Sequence, residues 1–135
     1  MQTPREYTAG YSLQPRLRVF GGRQLVLGWG KILLLEQIRD TGSIAEAAQR
    51  MGISYNHAWT SVRTMNSSFQ QPLVATARGG RSKGGATLTP TGEEVVDLYG
   101  EMIAESQKAT LKSWAKLSKL LRPVEGLPSG GEDGC

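Results

Sequence analysis

The sequence has little of what catalytic or metal-binding sites use. Its 135 residues include one cysteine and one histidine. Cys135 has no partner for an internal disulfide, and neither Cys135 nor His57 has neighbouring Cys or His residues that would complete a metal-ligand set. A catalytic His57 would also need a nucleophile and an orienting carboxylate nearby, and the sequence suggests no such set. We therefore predict no enzyme, no cofactor and no metal site.

Long apolar runs are also missing. No stretch approaches the roughly 18 uninterrupted apolar residues that would span a membrane, and residues 1–15 lack the apolar core of a secretory signal. We expect a cytoplasmic protein without a membrane partner. Apolar residues make up 39% of the chain, which is enough for the modest core of one domain.

Acidic residues are nearly absent from one stretch. Between Ser43 and Gly92 there are five cations and one acid, Glu46, whereas the rest of the chain has eleven of each. The net charge of +4 therefore lies in this stretch. A localised basic excess is typical of proteins that bind a polyanion such as double-stranded DNA, although a solvated basic surface without a partner remains the alternative.

The ends of the chain differ from its middle. Residues 1–15 and 122–135 mix Pro, Gly and polar residues without periodicity, so we predict disorder at both ends. Residues 16–20 alternate as in a strand, and "GG" followed by "RQLVLG" predicts a hairpin with a two-residue turn. A helix follows, with Ile32, Leu35 and Ile38 near one face, and it ends at Gly42.

Two short helices separated by a glycine form the next segment. Ser43 and Glu46 have capping-box spacing, and Ile44, Ala47, Ala48 and Met51 follow at helical intervals. After Gly52, Ser54 is a second N-cap candidate that opens a helix. The small residues Ala47 and Ala48 allow close approach of that helix. This order predicts a helix-turn-helix.

The second helix, over residues 54–66, presents a polar surface without acids. If its apolar residues face the core, five polar residues are left outside and two serines lie at the margins: Asn56, His57, Thr60, Arg63 and Thr64, with Ser54 and Ser61. These side chains suit base edges and phosphates. Tyr55 is expected at the edge with its hydroxyl within reach of a phosphate, and Trp59 is expected in the core. We predict that this helix enters the major groove; a polar helix surface that merely lacks acids is the alternative.

A glycine-rich basic loop lies between two short strands, and residues 76–88 make up the predicted wing. A Walker-type phosphate loop needs Gly-Lys-Ser/Thr opening directly into a helix, whereas here Lys83 precedes a glycine pair and a strand-like segment follows. We therefore predict a wing whose Arg78, Arg81 and Lys83 contact the DNA backbone or the minor groove. A mobile basic loop without a ligand is the alternative.

The last predicted element is a long helix. Thr89 and Pro90 mark its start, and a rough apolar stripe continues over residues 91–121. A helix of this length beyond a small domain favours pairing with a second copy of the chain. The predicted fold is mainly α with small β-hairpins: a winged helix-turn-helix over residues 16–90, followed by a C-terminal dimerisation helix over residues 91–121.

These residues resemble a known family. "GSIAEAAQRMGISYNHAWTSVRTMN", "PLV" and "GGRSKGGATLTPTG" resemble the N-terminal DNA-binding domain of ModE-type molybdenum-dependent transcriptional regulators, whose winged helix-turn-helix is similar to that of LysR-type regulators. The resemblance runs from about Arg16 to Glu105. It implies a homodimeric bacterial transcription factor, and a repressor of molybdate transport or metabolism genes is the expected role.

The resemblance does not extend to the effector-binding part of that family, which is a C-terminal barrel. Only fourteen residues follow Leu121, too few for such a barrel, so we do not expect this chain to bind molybdate. Two other functions stay open. One is an interaction module that works through the long helix without binding DNA, and the other is a phosphate-binding enzyme subunit that uses the Gly/Arg loop.

Overall fold

The computed structural model describes residues 6–8, 10–77 and 85–124. The chain divides into two compact units, one over Arg16–Glu101 and the other over the described residues up to Pro15 and from Met102 onward. The described residues form five helices and three two-stranded antiparallel sheets, joined by turns and loops. The predicted class, mainly α with small hairpins, is confirmed. Among the described residues, no helix is both long and apolar enough to cross a membrane.

The first unit begins with the predicted hairpin. Strands β3 (Val19–Gly21) and β4 (Gln24–Leu27) pair antiparallel, with Gly21 opposite Gln24. The turn residues are therefore Gly22 and Arg23 rather than the glycine pair. Gly22 adopts a positive φ of 61°, which glycine allows without the steric cost of a Cβ.

The core of this unit is built by three helices, the strands beside them, and Val96 and Tyr99 of the helix that begins at Pro90. Helices α1 (Trp29–Thr41), α2 (Ile44–Met51) and α3 (Tyr55–Ser68) bury one apolar stripe each. As predicted, α1 buries Ile32, Leu35 and Ile38 and ends at Gly42, whose φ is 72°. Trp59 is only half-buried, so its predicted core position is met in part.

The predicted wing strands are present. Strands β5 (Val74–Thr76) and β6 (Ala86–Leu88) pair antiparallel, and the N–H of Ala77 donates to the oxygen of Gly85 over 2.9 Å. Thr89 caps the next helix, α4 (Pro90–Ala109), because its Oγ1 accepts from the N–H of Gly92 at 3.0 Å. Pro90 takes the first helical position, where its missing N–H costs nothing.

The prediction of one helix over residues 91–121 is wrong. The helix is interrupted at Thr110, whose φ of −99° and ψ of 3° lie outside helical values, and α5 (Leu111–Ser118) follows. The Thr110 hydroxyl donates to the oxygen of Ser106 at 2.8 Å. Such a hydroxyl competes with the backbone for the same carbonyl, and bends helices for that reason.

The prediction of disorder for residues 1–15 is also wrong where those residues are described. Strands β1 (Glu6–Thr8) and β2 (Tyr11–Leu13) form an antiparallel pair around a turn in which Gly10 has a φ of 87°. The Tyr11 hydroxyl donates to the oxygen of Arg122 at 2.6 Å. Strands of three residues are too short to show a clear alternation, and the acceptor of the Tyr11 hydroxyl lies 111 residues away in the chain. Of the predicted C-terminal disorder, residues 125–135 lie outside the described residues.

Candidate nucleic-acid interface

Helices α2 and α3 meet at a turn made of Gly52, Ile53 and Ser54. Gly52 has a φ of 71°, and the N–H of Ile53 donates to the oxygen of Ala48 at 3.1 Å, which closes the end of α2. Ala47 and Ala48 are buried, so their small side chains bring the two helices close together, as predicted. The sequence thus produces the predicted helix-turn-helix.

Both helix starts are capped by serine. Ser43 Oγ accepts from the N–H of Glu46 at 3.0 Å, and Ser54 Oγ accepts from the N–H of His57 at 3.0 Å. These bonds satisfy backbone donors that a helix leaves unpaired. The predicted capping box at Ser43 forms only in this half, because the N–H of Ser43 donates to Thr41 Oγ1 at 3.2 Å.

The residues predicted to contact DNA on α3 lie on one exposed surface. The helix buries Ala58, Ser61, Val62 and Met65, and all the predicted contact residues on α3 are exposed: Asn56, His57, Thr60, Arg63, and Tyr55 at 50%. Ser54 is exposed at the start of the helix. The structure therefore brings together six of the nine predicted residues.

The other three predicted residues, Arg78, Arg81 and Lys83, lie outside the described residues. At the base of this wing, hydrogen bonds connect each of the two strands to a helix or to the end of one. Asn66 Oδ1 accepts from the N–H groups of Leu73 and Val74 at 2.8 and 3.1 Å, and its Nδ2 donates to the oxygen of Val74 at 3.1 Å. On the other strand, the N–H of Ala86 donates to the oxygen of Gly42 at 2.9 Å.

An open depression of about 360 Å³ borders α3 on one side. Gln24 of β4 and Lys31 of α1 line it together with residues of α3, namely Asn56, His57, Thr60, Ser61 and Thr64. Lys31 Nζ donates to Ser61 Oγ at 3.3 Å, and partial burial lowers the pKa of this lysine.

Sequence reasoning missed Gln24 and Lys31. For Lys31 a signal was present, since the positive end of the helix dipole favours acids in the first turn. The first turn of α1 has no acidic residue and carries this lysine instead. Because a lysine in the first turn does not stabilise the helix, its position indicates another function for Lys31. Gln24 gave no such signal, because only the folded hairpin brings it beside α3.

The described charges leave the α3 surface positive. Salt bridges among the described residues join Arg39 to Asp40 at 3.7 Å and to Glu93 at 3.4 Å. Neither Arg63 nor Lys31 forms a salt bridge with a described residue. The residues described also contain no group of three His, Cys, Asp or Glu side chains able to hold a metal ion. The arrangement suits hydrogen bonding to a polyanion.

Residues 29–93 match the family described as bacterial regulatory helix-turn-helix protein, lysR family. The chain is 42% identical over 101 residues to the molybdenum-pterin-binding protein MopB of Rhodobacter capsulatus, covering 75% of this chain and 37% of that protein. It is 45% identical over 84 residues to the transcriptional regulator ModE of Yersinia pestis, covering 61% and 32%.

A third relative is the DNA-binding transcriptional dual regulator ModE of Escherichia coli strain K12, with 40% identity over 79 residues, covering 58% of this chain and 30% of that protein. The chain thus spans about a third of the length of these curated relatives. The description of the family and the names of the ModE relatives are those of transcriptional regulators.

Proposed function

We propose that the protein is a DNA-binding transcriptional regulator of molybdenum-related genes, and the match of residues 29–93 to the lysR family of bacterial regulatory helix-turn-helix proteins supports this. The predicted resemblance to ModE-type regulators is confirmed by relatives that carry that name. Since the chain spans about a third of those relatives, no molybdate site is proposed for the residues described.

The observation that carries the proposal is the exposed surface of α3. It presents amide, imidazole, hydroxyl and guanidinium groups and no carboxylate, at the second helix of a helix-turn-helix. In such motifs the second helix lies in the major groove, where base edges offer hydrogen-bond donors and acceptors. An exposed helix with no binding role normally includes Asp or Glu among its polar residues.

The side chains on α3 fit distinct parts of the groove. The amide of Asn56 can pair with adenine and the guanidinium of Arg63 with guanine, each through two hydrogen bonds. Thr60 lies one turn beyond Asn56 and suits a base edge or a thymine methyl group. Ser54 and Tyr55, at the start of the helix, suit a phosphate.

The wing is proposed to contact the DNA beside the major-groove site. Strands β5 and β6 end at Thr76 and begin at Ala86, so the basic residues Arg78, Arg81 and Lys83 belong to the loop between them. Cations on a loop of this kind suit phosphates or a narrow minor groove. Neutralising several phosphates would make binding strongly dependent on salt.

A homodimer is proposed through α4 and α5. These helices expose apolar side chains that a lone chain would leave in water: Leu98, Met102, Leu111 and Leu117. Two copies would present two α3 helices to a DNA site with two-fold symmetry. Such a dimer bound over a promoter would repress transcription, which is the role we propose.

An interaction module without DNA binding is the second candidate, and the same exposed apolar residues favour it. Duplex binding separates the two. Genomic fragments selected with the purified protein, in the presence and absence of molybdate, should yield a preferred duplex whose affinity falls steeply with salt. If the wild-type protein binds neither that pool nor a random duplex at low salt, the DNA-binding proposal fails and the interaction module takes its place.

Single variants test the assignment of α3. Asn56→Ala and Arg63→Ala should each weaken binding to the selected duplex by roughly 1–3 kcal/mol, about 5- to 150-fold, because each removes a paired base contact. Gln14→Ala, an exposed amide outside α3, the wing and the proposed dimer helices, is the control and should bind as the wild type does. Equal affinities for all these proteins would contradict the role of α3.

A further inference from the structure

The exposed surface of α3 has two parts that point in different directions. Because a helix advances about 100° per residue, Asn56, Thr60 and Arg63 lie opposite the buried stripe. His57 and Thr64 lie to one side of them, next to Ser61. These three line the depression together with Gln24 and Lys31, and Asn56 and Thr60 of the outer face also border it. A helix that enters the major groove meets bases at its outermost face and a phosphate backbone along its sides.

Lys31 is held at this side of α3, and none of the described residues supplies a compensating charge. Its ammonium group lies 3.3 Å from the hydroxyl of Ser61, and Ser61 itself is buried. No carboxylate among the described residues lies within salt-bridge distance of it. Partial burial penalises the charged form, as the lowered pKa of Lys31 shows. A cation that is partly removed from water and unpaired is stabilised when an anion arrives.

Resting on the DNA-binding function proposed above, we propose that the depression between α1, β4 and α3 receives a DNA backbone phosphate. Lys31 supplies the positive charge, and Gln24, His57 and Thr64 supply hydrogen bonds from the walls. By their position around the helix, His57 and Thr64 are assigned to the backbone. Asn56 and Thr60, which also border the depression, are assigned with Arg63 to the bases because they lie opposite the buried stripe. The bound phosphate fixes the position of α3 along the groove.

The geometry favours DNA over a small free anion. The depression is open to solvent and continuous with the outer face of α3, so a phosphate seated there stays joined to a strand that runs past that face. Its walls come from β4, α1 and α3, so the depression runs along the side of α3. A site for a free anion would need to surround its ligand, and the described walls do not.

The test measures how DNA affinity depends on salt. Lys31→Met keeps the length of the side chain and removes the charge, and Arg39→Met removes a charge from the same helix at a residue outside the binding surface. With a random-sequence duplex, Lys31→Met should lower the slope of log affinity against log salt by about 0.9, the value for one phosphate contact. Arg39→Met should leave the slope unchanged, and Lys31→Arg should keep most of the wild-type slope.

Other results overturn the proposal. If Lys31→Met and Arg39→Met have the wild-type slope, Lys31 only packs its stem against α3. If both variants lower the slope equally, the slope depends on the net charge of the protein and not on a phosphate contact at Lys31. If inorganic phosphate raises the Tm of the wild type but not of Lys31→Met while their DNA slopes agree, the depression holds a free anion. If wild-type protein binds no duplex at all, the proposed function fails first, so the two failures are distinguishable.

Discussion

Gly92 shows how one residue fixes the start of α4. A Cβ at this position would fall inside contact distance of the Leu73 carbonyl oxygen and only 3.1 Å from its carbon. The same carbonyl accepts from the N–H of Thr89 at 2.9 Å, so the backbone before β5 is held against the first turn of α4. Gly92 is thus required for close approach, and no positive φ is involved.

Gly92→Ala should therefore lower the free energy of unfolding by roughly 1–3 kcal/mol, because the added methyl group must displace backbone. Gly30→Ala is the matched control: Gly30 lies in α1, and a Cβ there meets nothing within 4 Å. That variant should gain up to about 1 kcal/mol from alanine's helix propensity. Urea denaturation of both proteins checks the pair, and a Gly92→Ala variant as stable as Gly30→Ala would show that the Leu73 backbone moves freely.

Lys31 and His57 differ in whether the sequence alone predicts where they lie. His57 was predicted on the exposed face of α3 because helical spacing decides which residues a helix exposes. Its neighbours across the depression, Gln24 and Lys31, are 33 and 26 positions earlier in the chain. No local pattern relates such distant residues, so only the packing of β4 and α1 beside α3 brings them to the same site.

At the scale of elements, the side chain of Asn66 joins α3 to β5. One amide group makes three hydrogen bonds to the backbone of Leu73 and Val74, which are partly or fully buried there. The contact fixes the base of the wing to the last part of α3. Two proposed DNA-contacting elements thus keep a set spacing before any DNA is bound.

Asn66→Ala should lower the free energy of unfolding by roughly 1–3 kcal/mol, since buried backbone donors lose their acceptor. Ser67→Ala, whose hydroxyl bonds only within α3 to Thr64, should change it by no more than about 0.5 kcal/mol. Hydrogen exchange at the amides of Leu73 and Val74 is the second measurement and should accelerate in Asn66→Ala alone. Unchanged exchange at both amides would contradict the role given to Asn66.

Elements that carry a clear cap or period agree with the sequence prediction, and elements without such a signal do not. Ser54, Thr89 and Gly42 carry caps that involve neighbouring residues only, and the helix boundaries at these positions are confirmed. The pairing of β1 with β2 and the interruption at Thr110 were missed. A three-residue strand lacks a recognisable period, and an apolar stripe continues past a single threonine without any change in spacing.

At the scale of the whole molecule, the proposed homodimer would form through apolar residues that the folded chain leaves exposed. Leu98 and Met102 are 47% and 43% exposed and lie one turn apart on α4. Apolar surface of this kind marks an interaction site when it is contiguous. A second copy of the chain is the partner we propose for it.

Leu98→Lys should shift the protein from dimer to monomer, because it places a charge in an apolar interface. We expect the dissociation constant of the dimer to rise at least about tenfold, since this corresponds to only 1.4 kcal/mol. Ala104→Lys adds the same charge at the opposite edge of the exposed α4 surface and should remain dimeric. Light scattering after size-exclusion chromatography checks both, and a dimeric Leu98→Lys protein would place the interface elsewhere.

The sequence by itself determined the helix-turn-helix, the strands of the wing and the polar face of α3. These features follow from caps, glycines and helical spacing, all of which act over a few residues. Tertiary structure alone decided that Lys31 and Gln24 lie beside α3, that Asn66 holds the wing, and that residues before Pro15 pair as strands. Lys31 and Gln24 are far from α3 in the chain, so the burial of a shared core sets their proximity. Asn66 and the strands before Pro15 are positioned by hydrogen bonds between elements that carry no clear signal in the sequence.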